Sequence, residues 1–281
     1  ELHVPTMPLK ARRFVRKMRG GAQAHLMEAQ DGNFYVVKFR NNPQHRRILV
    51  NEWIASVILK HLQISSPPVA IIELTAEFLQ ANPEIHLQLG TRRMPVEPGW
   101  HFGSQYPGDP GRLAVYDFLP DALLDHVANR NEFLGVFAAD KWMGNADARQ
   151  SIFFRARLEG APARGGRERA GFVAWMMDHG YVFDGPHWAF HDSPLQGLYF
   201  RPNVYATVRG IEDFQPWLDR VLNFPEGVID DGLKQVPQAW LEGDTDALEA
   251  LLEKLMSRRA RTPELIEASR HGRVDAFPAW K

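Results

Sequence analysis

A strand–turn–strand pattern followed by a long helix constrains the N-terminal part of this chain more than any other feature. Two β-rich runs, at 24–29 and 34–39, flank Asp31-Gly32, a dipeptide that favours the tight turn of a β-hairpin. Apolar residues then recur at helical spacing as far as Leu62, after an Asn42-Pro43 step that is typical of a helix start. The sequence therefore predicts a small β-rich unit that includes one long helix.

The segment that follows this helix predicts the junction between two lobes. A β-rich run at 69–74 completes the small sheet, and residues 91–113, rich in Pro and Gly without periodicity, indicate a long surface loop. The apolar run at 113–119 is the expected crossing between lobes. We therefore predict an N-terminal lobe at 1–119 and a C-terminal lobe at 120–281.

The C-terminal part is mostly helical but contains a second hairpin. Helical patterns cover 132–143, which ends at a glycine in the capping position, and 245–258, which has an apolar stripe. Two β-like runs, 151–155 and 171–177, are joined by a Gly- and Arg-rich connection at 159–170. These patterns predict an α+β fold with a small β-rich N-lobe and a larger, mainly helical C-lobe.

Composition excludes several classes of function. Lys and Arg number 33 against 34 Asp and Glu, so no global field attracts nucleic acid or an anionic membrane, and we expect neither as a partner. The absence of cysteine excludes a disulfide framework, a thiolate zinc site and a cysteine nucleophile. The lack of cysteine fits a reducing cytosol, and we expect a cytoplasmic protein. No uncharged run approaches the roughly 20 residues that span a bilayer.

Four charged residues match the requirements of phosphoryl transfer. That reaction needs a cation on the nucleotide phosphates, oxygen ligands for magnesium and an aspartate that accepts the proton of the attacking group. Lys38 ends a predicted strand and Glu52, 14 residues later, is placed to orient it. Asp147 falls in a predicted loop and Asp178 follows a predicted buried strand. Each alone is common on protein surfaces; their order in the chain indicates a kinase.

The glycine pair ahead of the first hairpin is a weaker signal. Gly20, Gly21 and Ala22 would allow backbone N–H groups to approach phosphates closely. The segment matches neither of the common glycine-rich phosphate-binding patterns, so a plain turn remains the alternative.

Two aspartates compete for the catalytic role. Asp140 precedes Asn145 by five residues, the spacing of a protein-kinase catalytic loop, but it falls inside a predicted helix. Asp147 falls in the loop after that helix, where catalytic groups usually lie, and we favour it. The alternative for Asp140 is an ion pair with a neighbouring basic residue.

At these motifs the chain resembles the bacterial HipA-like kinases and, more distantly, the type II phosphatidylinositol kinases. The segment from Asp140 to Asp147 is similar to the catalytic loop of those families, and Asp178-x-Gly180 is similar to their metal-binding Asp-x-Gly. The segments that carry the resemblance are Arg19 to Gln23, Val37-Lys38-Phe39, Asn51-Glu52, Asp140 to Asp147 and Asp178-x-Gly180.

The resemblance implies a two-lobed protein-kinase-like fold with ATP between the lobes. It implies Lys38 on the phosphates, Asp147 as catalytic base and Asp178 on Mg²⁺, with Glu52 paired to the lysine. It also implies that Tyr116-Asp117-Phe118-Leu119 is the hinge whose backbone contacts adenine.

The loop after the proposed base departs from the related kinases. Those loops continue to an Asn that binds metal, whereas Asp147 is followed here by Ala148-Arg149-Gln150-Ser151. Gln150 carries a carbonyl oxygen suited to magnesium and is the candidate substitute, with Asn145 as the alternative.

We therefore predict an ATP- and Mg²⁺-dependent kinase that transfers the γ-phosphate to a hydroxyl, favouring Ser or Thr of an unidentified protein acceptor. Lipid and small-molecule acceptors remain alternatives. The altered loop after Asp147 also motivates a nucleotide-binding pseudokinase with a regulatory role. A helical scaffold protein without nucleotide is the third reading.

Overall fold

A β-barrel forms the N-terminal part of the chain in the computed structural model, which describes residues 7–158 and 170–281. Its strands run in the order β1-β2-β3-β7-β4 around the barrel, and only the β1–β4 pair is parallel. Met27, Val37 and Ile72 pack in one buried cluster from three of these strands. The five strands are β1 (Leu9–Lys17), β2 (His25–Ala29), β3 (Phe34–Lys38), β4 (Val69–Leu74) and β7 (Gly99–Gln105).

Two further elements complete this lobe. Helix α1 (Arg47–His61) lies between the barrel and the second half of the chain, and eleven of its residues are buried. A short helix α2 (Ala76–Ala81) leads into a hairpin of β5 (His86–Leu89) and β6 (Arg92–Pro95). Leu87 of this hairpin belongs to the same buried cluster as the barrel strands, so the hairpin packs on the barrel.

The second half of the chain is built on a small sheet and a set of helices. The sheet has the order β10-β9-β8, with both neighbouring pairs antiparallel. Its strands are β8 (Val115–Tyr116), β9 (Gln150–Arg157) and β10 (Ala170–Met177). The helices are α3 (Asp121–Leu124), α4 (Glu132–Met143), α5 (Trp217–Leu222), α6 (Glu226–Leu233), α7 (Gln238–Leu241), α8 (Thr245–Arg258) and α9 (Thr262–Ala268).

Helix α4 is the centre of the C-terminal core. Eleven of its residues are buried, and Phe137 and Trp142 pack against aromatic rings from the surrounding segments. Gly135 allows the ring of Trp217 to lie directly on the helix, since a Cβ at Gly135 would be 2.5 Å from that ring. The helix is therefore held on all sides, and the loop that follows it starts from a rigid point.

Most of the predicted elements are confirmed, including the α+β fold with its β-rich and helical parts. The strand at 69–74 and the helices at 132–143 and 245–258 have the predicted bounds. Gly144 caps α4 in the left-handed conformation, with φ of 61°. The connection predicted at 159–170 falls outside the described residues, except for Ala170.

Two predictions of local structure are wrong. The predicted surface loop at 91–113 contains β7, which is bonded to β3 on one side and to β4 on the other. Its Gly103 lies so close to Ile72 that a Cβ would be 2.5 Å from that side chain, so the glycine serves packing rather than a turn. Helix α1 begins at Arg47, because Asn42 instead accepts a backbone hydrogen bond from Gln44 in a turn.

The last strand of the barrel lies before the lobe boundary predicted after residue 119, and that boundary stays a prediction. The barrel ends at Gln105, and β8 already pairs with β9 of the second sheet. In the part of the chain that the structure describes, no helix combines the length and apolar character needed to cross a bilayer.

Candidate active site

Lys38 lies at the end of β3 and joins the two halves of the molecule. Its Nζ donates a hydrogen bond to Oε1 of Glu52 on α1 and another, of 2.7 Å, to Oδ1 of Asp178, which follows β10. The lysine and Glu52 are buried, whereas 36% of the Asp178 side chain is exposed. The structure thus brings together three of the predicted site residues, from three separate elements.

The charges of these three side chains influence one another. Burial opposes the charge on Lys38, but the carboxylates of Asp178 and Glu52 outweigh it and raise the pKa of the ammonium group. Lys38 in turn lowers the pKa of the Asp178 carboxyl, while burial raises the pKa of the Glu52 carboxyl. The lowered pKa favours the ionised form of Asp178, and its side chain is partly exposed, so Asp178 is the carboxylate at which a cation would bind.

The turn that carries Asp178 is held by α1. Asn51 donates from Nδ2 to the carbonyl oxygens of Gly180, at 2.8 Å, and Gly185, at 3.0 Å, and its Oδ1 accepts from the indole of Trp188. Gly180 is required here because a Cβ would be 2.7 Å from the side chain of Ile48. The neighbour of Glu52 on α1 therefore fixes the turn on which Asp178 lies.

The loop after α4 presents Asp147 to solvent. Its backbone N–H donates to Oδ1 of Asn145 at 3.1 Å, and its own Oδ1 accepts from the N–H of Ala148 at 2.7 Å. Asp147 is exposed, while Asn145 beneath it is buried. This geometry leaves the carboxylate of Asp147 accessible to an acceptor from outside.

Asp140 takes the alternative role considered for it, an ion pair with a basic residue. Both of its carboxylate oxygens accept from the guanidinium of Arg149, at 2.8 Å and 2.5 Å, and both side chains are fully buried. Asn145 donates to the same carboxylate at 3.1 Å. Asp140 is thus enclosed and anchors the loop that carries Asp147.

The two candidates for the second metal ligand differ in accessibility. The amide of Asn145 is engaged at both ends, by Asp140 and by the N–H of Asp147. Gln150 is exposed at the start of β9, and its Cα lies opposite that of Met177, the residue before Asp178. Within residues 7–158 and 170–281, Gln150 is therefore the one of the two whose side chain is not engaged in hydrogen bonds.

A single divalent cation fits the described residues better than a site made of protein ligands alone. No group of three His, Asp or Glu side chains within 7–158 and 170–281 is arranged to hold a metal. Asp178 is bonded to Lys38 through Oδ1 and is partly exposed. Mg²⁺ commonly takes one or two protein oxygens and completes its shell with phosphate and water, and this donor set suits that mode.

The predicted glycine turn and the predicted hinge lie in separate segments of the chain. Gly20, with φ of 117°, is in the turn between β1 and β2, and Gln23 of that turn bonds to Gln88 of the β5–β6 hairpin. In the segment 116–119, Tyr116 and Phe118 are exposed and Leu119 is buried.

A large cavity lies elsewhere in the molecule. It measures about 760 Å³ and is formed beside the C-terminal end of α1, with Trp53, Lys60, Pro68 and Trp175 in its wall. Because none of the predicted site residues lines it, we do not assign the nucleotide to it.

The sequence assigned no part in the site to three residues that the structure places there. They are Arg149, His179 and Asn51, and all three are fully or almost fully buried. Arg149 and Asn51 form hydrogen bonds to the turn that carries Asp178, and His179 is part of that turn. Arg149 stands two residues after the proposed base, which is the one sequence signal that could have drawn attention to it.

Lys141, next to Asp140, gives a testable effect of pH on stability. Its ammonium donates to the carbonyls of Ser193 and Pro194, both at 2.9 Å, and burial lowers its pKa to about 8. Between pH about 8 and about 10.4 the unfolded chain keeps a proton that the folded protein has released, so stability rises with pH in this window.

We expect Lys141→Met to remove this part of the pH dependence, at most about 1.4 kcal/mol per pH unit. Urea unfolding across the window measures it, and Lys254→Met, which changes an exposed lysine of α8, is the control. An unchanged slope in Lys141→Met would show that the lysine keeps its ordinary pKa.

Comparisons with known proteins agree with this architecture. Two crystal structures of the Golgi casein kinase, one of them with Mn/ADP bound, are similar to the chain with a TM-score of 0.51 each. Their sequences are 11% and 12% identical to it, over 96% and 98% of this chain and 74% and 75% of theirs. At this identity the likeness shows a protein-kinase-like fold and nothing finer. No curated protein matches the chain.

The family model is more specific. It describes the HipA-like kinases and matches residues 12–153, just over half of the chain. The matched part includes Lys38, Glu52 and the loop of Asp147. The chain therefore belongs to the HipA-like kinase family.

Proposed function

We propose that this kinase is an ATP- and Mg²⁺-dependent phosphotransferase that acts on a hydroxyl group, with a protein Ser or Thr as the favoured acceptor. The observation that carries the proposal is the contact of Lys38 with both Glu52 and Asp178, at the point where the barrel meets the second sheet. A strand, a helix and a turn from distant parts of the chain supply one charged group each.

Each residue has a defined part in the proposed reaction. Lys38 binds the nucleotide phosphates and Glu52 orients it. Asp178 and Gln150 would hold Mg²⁺, which offsets negative charge on the phosphate oxygens when it is bound. The acceptor oxygen forms a bond to the γ-phosphorus, the bridging bond to the β-phosphate breaks with its electrons left on ADP, and Asp147 takes the acceptor's proton.

We assign the residues that contact the phosphates and the adenine ring by analogy with the related kinases. We propose that the turn at Gly20, Gly21 and Ala22 covers the phosphates, since two glycines leave its backbone N–H groups accessible. We propose that the backbone of Tyr116-Asp117-Phe118-Leu119 contacts the adenine ring.

A large acceptor is favoured by the exposure of Asp147. A carboxylate that lies open to solvent can meet a hydroxyl presented by a loop of another protein, whereas a small substrate is usually enclosed. Lipid and small-molecule acceptors are therefore second choices.

Removal of the metal ligand tests the proposal. The wild type should transfer γ-phosphate from labelled ATP, to itself or to a panel of proteins, only when Mg²⁺ is present. Asp178→Ala should lose this transfer, while Asp246→Ala, which alters an exposed aspartate of α8, should keep it. Transfer by Asp178→Ala at the wild-type rate would refute the assignment.

A nucleotide-binding pseudokinase is the second candidate, favoured by the loop after Asp147. It lacks the metal-binding Asn of related kinases, and Asn145 is already engaged in the loop itself. Calorimetry that detects binding of Mg-ATP, with no transfer to any acceptor of the panel, would favour this function over catalysis.

A further inference from the structure

The side chain of Arg149 makes more hydrogen bonds than that of any of the predicted site residues. Its Nε and one terminal nitrogen bond both oxygens of Asp140, at 2.8 Å and 2.5 Å. The other terminal nitrogen donates to the carbonyl oxygen of Met177 at 2.8 Å and contacts Nδ1 of His179 at 3.0 Å. The side chain is fully buried, so all of these contacts are shielded from water.

The partners of Arg149 lie on the two segments proposed for catalysis. Met177 and His179 are the residues on either side of Asp178, and Arg149 itself is two residues after Asp147. One planar guanidinium group therefore links the loop of the proposed base to the turn of the proposed metal ligand. A backbone bond from Ala146 to the carbonyl of Tyr181, at 2.9 Å, lies beside this link.

The contact with His179 also fixes the proton on its ring. Guanidinium nitrogens only donate, so Nδ1 of His179 must accept and the proton must be on Nε2. Nε2 of His179 is buried and has no hydrogen-bond partner among the described residues, so the contact with Arg149 is the one that indicates the tautomer.

We propose that Arg149 is a positioning residue that keeps the loop of Asp147 and the turn of Asp178 in a fixed position relative to each other. It touches no substrate and acts through the two loops that it joins. This inference rests on the proposed function, since it assigns a role to the two aspartates.

Arg149→Lys separates this role from simple stabilisation of the fold. A lysine keeps a positive charge beside Asp140, but its single ammonium group cannot reproduce the planar fork that reaches Asp140, Met177 and His179 together. Arg258→Lys is the matched control. Arg258 is also buried, and its side-chain hydrogen bonds among the described residues go to Asp192 and to the carbonyl oxygens at the end of α4 rather than to the turn of Asp178.

Two measurements on the intact protein test the proposal. The first is the affinity for Mn²⁺ in the presence of ADP, followed by electron paramagnetic resonance; we expect it to fall by about 10–100-fold in Arg149→Lys, the usual effect of losing a residue that orients a metal ligand. The second is the ¹⁵N spectrum of His179, which should report the Nε2–H tautomer in the wild type and a changed signal in the variant. Arg258→Lys should leave both unchanged.

Wild-type Mn²⁺ affinity and an unchanged His179 signal in Arg149→Lys would overturn the inference while leaving the proposed function intact. Failure of the wild type to bind Mn²⁺ with ADP would overturn both. If Arg149→Lys does not fold, the double variant Asp140→Leu/Arg149→Met removes both buried charges together, which cores often tolerate, and the same loss of Mn²⁺ affinity is expected.

Discussion

Replacement of Asp147 by asparagine is expected to lower kcat by about 10²–10⁴-fold, the usual contribution of a general base. Asparagine keeps the size of the side chain and the oxygen that accepts from Ala148, but it cannot take the proton of the acceptor hydroxyl. Because Asp147 is exposed, its replacement should change the free energy of unfolding by less than about 0.5 kcal/mol.

The measurement is the rate of γ-phosphate transfer at saturating Mg-ATP, together with the affinity for the nucleotide. Affinity should stay close to that of the wild type, since Lys38 and Asp178 are unaltered. Asp246→Asn serves as the control for loss of a surface carboxylate. A kcat within tenfold of the wild type would mean that Asp147 is not the base.

The elements that carry the site follow from short-range patterns. The Asp31-Gly32 turn places β2 beside β3, so Lys38 ends a paired strand, and Gly144 ends α4 where the pattern predicts. Turn chemistry, helix capping and apolar spacing act within a few residues, so they can be recognised in one sequence. The order of the charged residues along these elements then indicates a kinase.

The contacts between these elements could not be predicted in the same way. The bond from Lys38 to Asp178 joins residues 140 apart in the chain, and the sequence assigned the first to the nucleotide and the second to the metal without a contact between them. Strand β7 is not predicted from the sequence because its glycines favour a loop locally. In the fold, Gly103 is needed for close packing on Ile72. Tertiary packing overrides local preference at such positions.

Asp140 and Asp147 illustrate the same limit within one segment. In the sequence, Asp140 has the kinase spacing to Asn145, and Asp147 falls in the predicted loop, so both are candidates for the base. Only the folded chain shows that one carboxylate is enclosed by Arg149 and the other is open to solvent. A single substitution at each should therefore fail in a different way, one in catalysis and the other in stability.

Asp140→Asn is accordingly expected to destabilise the fold by about 3–5 kcal/mol, the typical cost of leaving a buried charge without its partner. The amide still fills the space, but it cannot neutralise the guanidinium of Arg149, which has no access to water. Urea unfolding measures the effect. Glu28→Gln is the control, because it removes an ion pair with an Arg13 side chain that is 61% exposed, and should cost no more than about 1 kcal/mol.

The double variant Asp140→Leu/Arg149→Met tests whether the unpaired charge of Arg149 causes the lower stability of Asp140→Asn. With both charges removed, no unpaired ion remains in the core, so the double variant should be more stable than Asp140→Asn, although the carbonyl of Met177 and Nδ1 of His179 lose their donor. Activity should not return with stability, since the link between the loop of Asp147 and the turn of Asp178 is still missing. A double variant as unstable as Asp140→Asn would show that shape, not charge, governs this site.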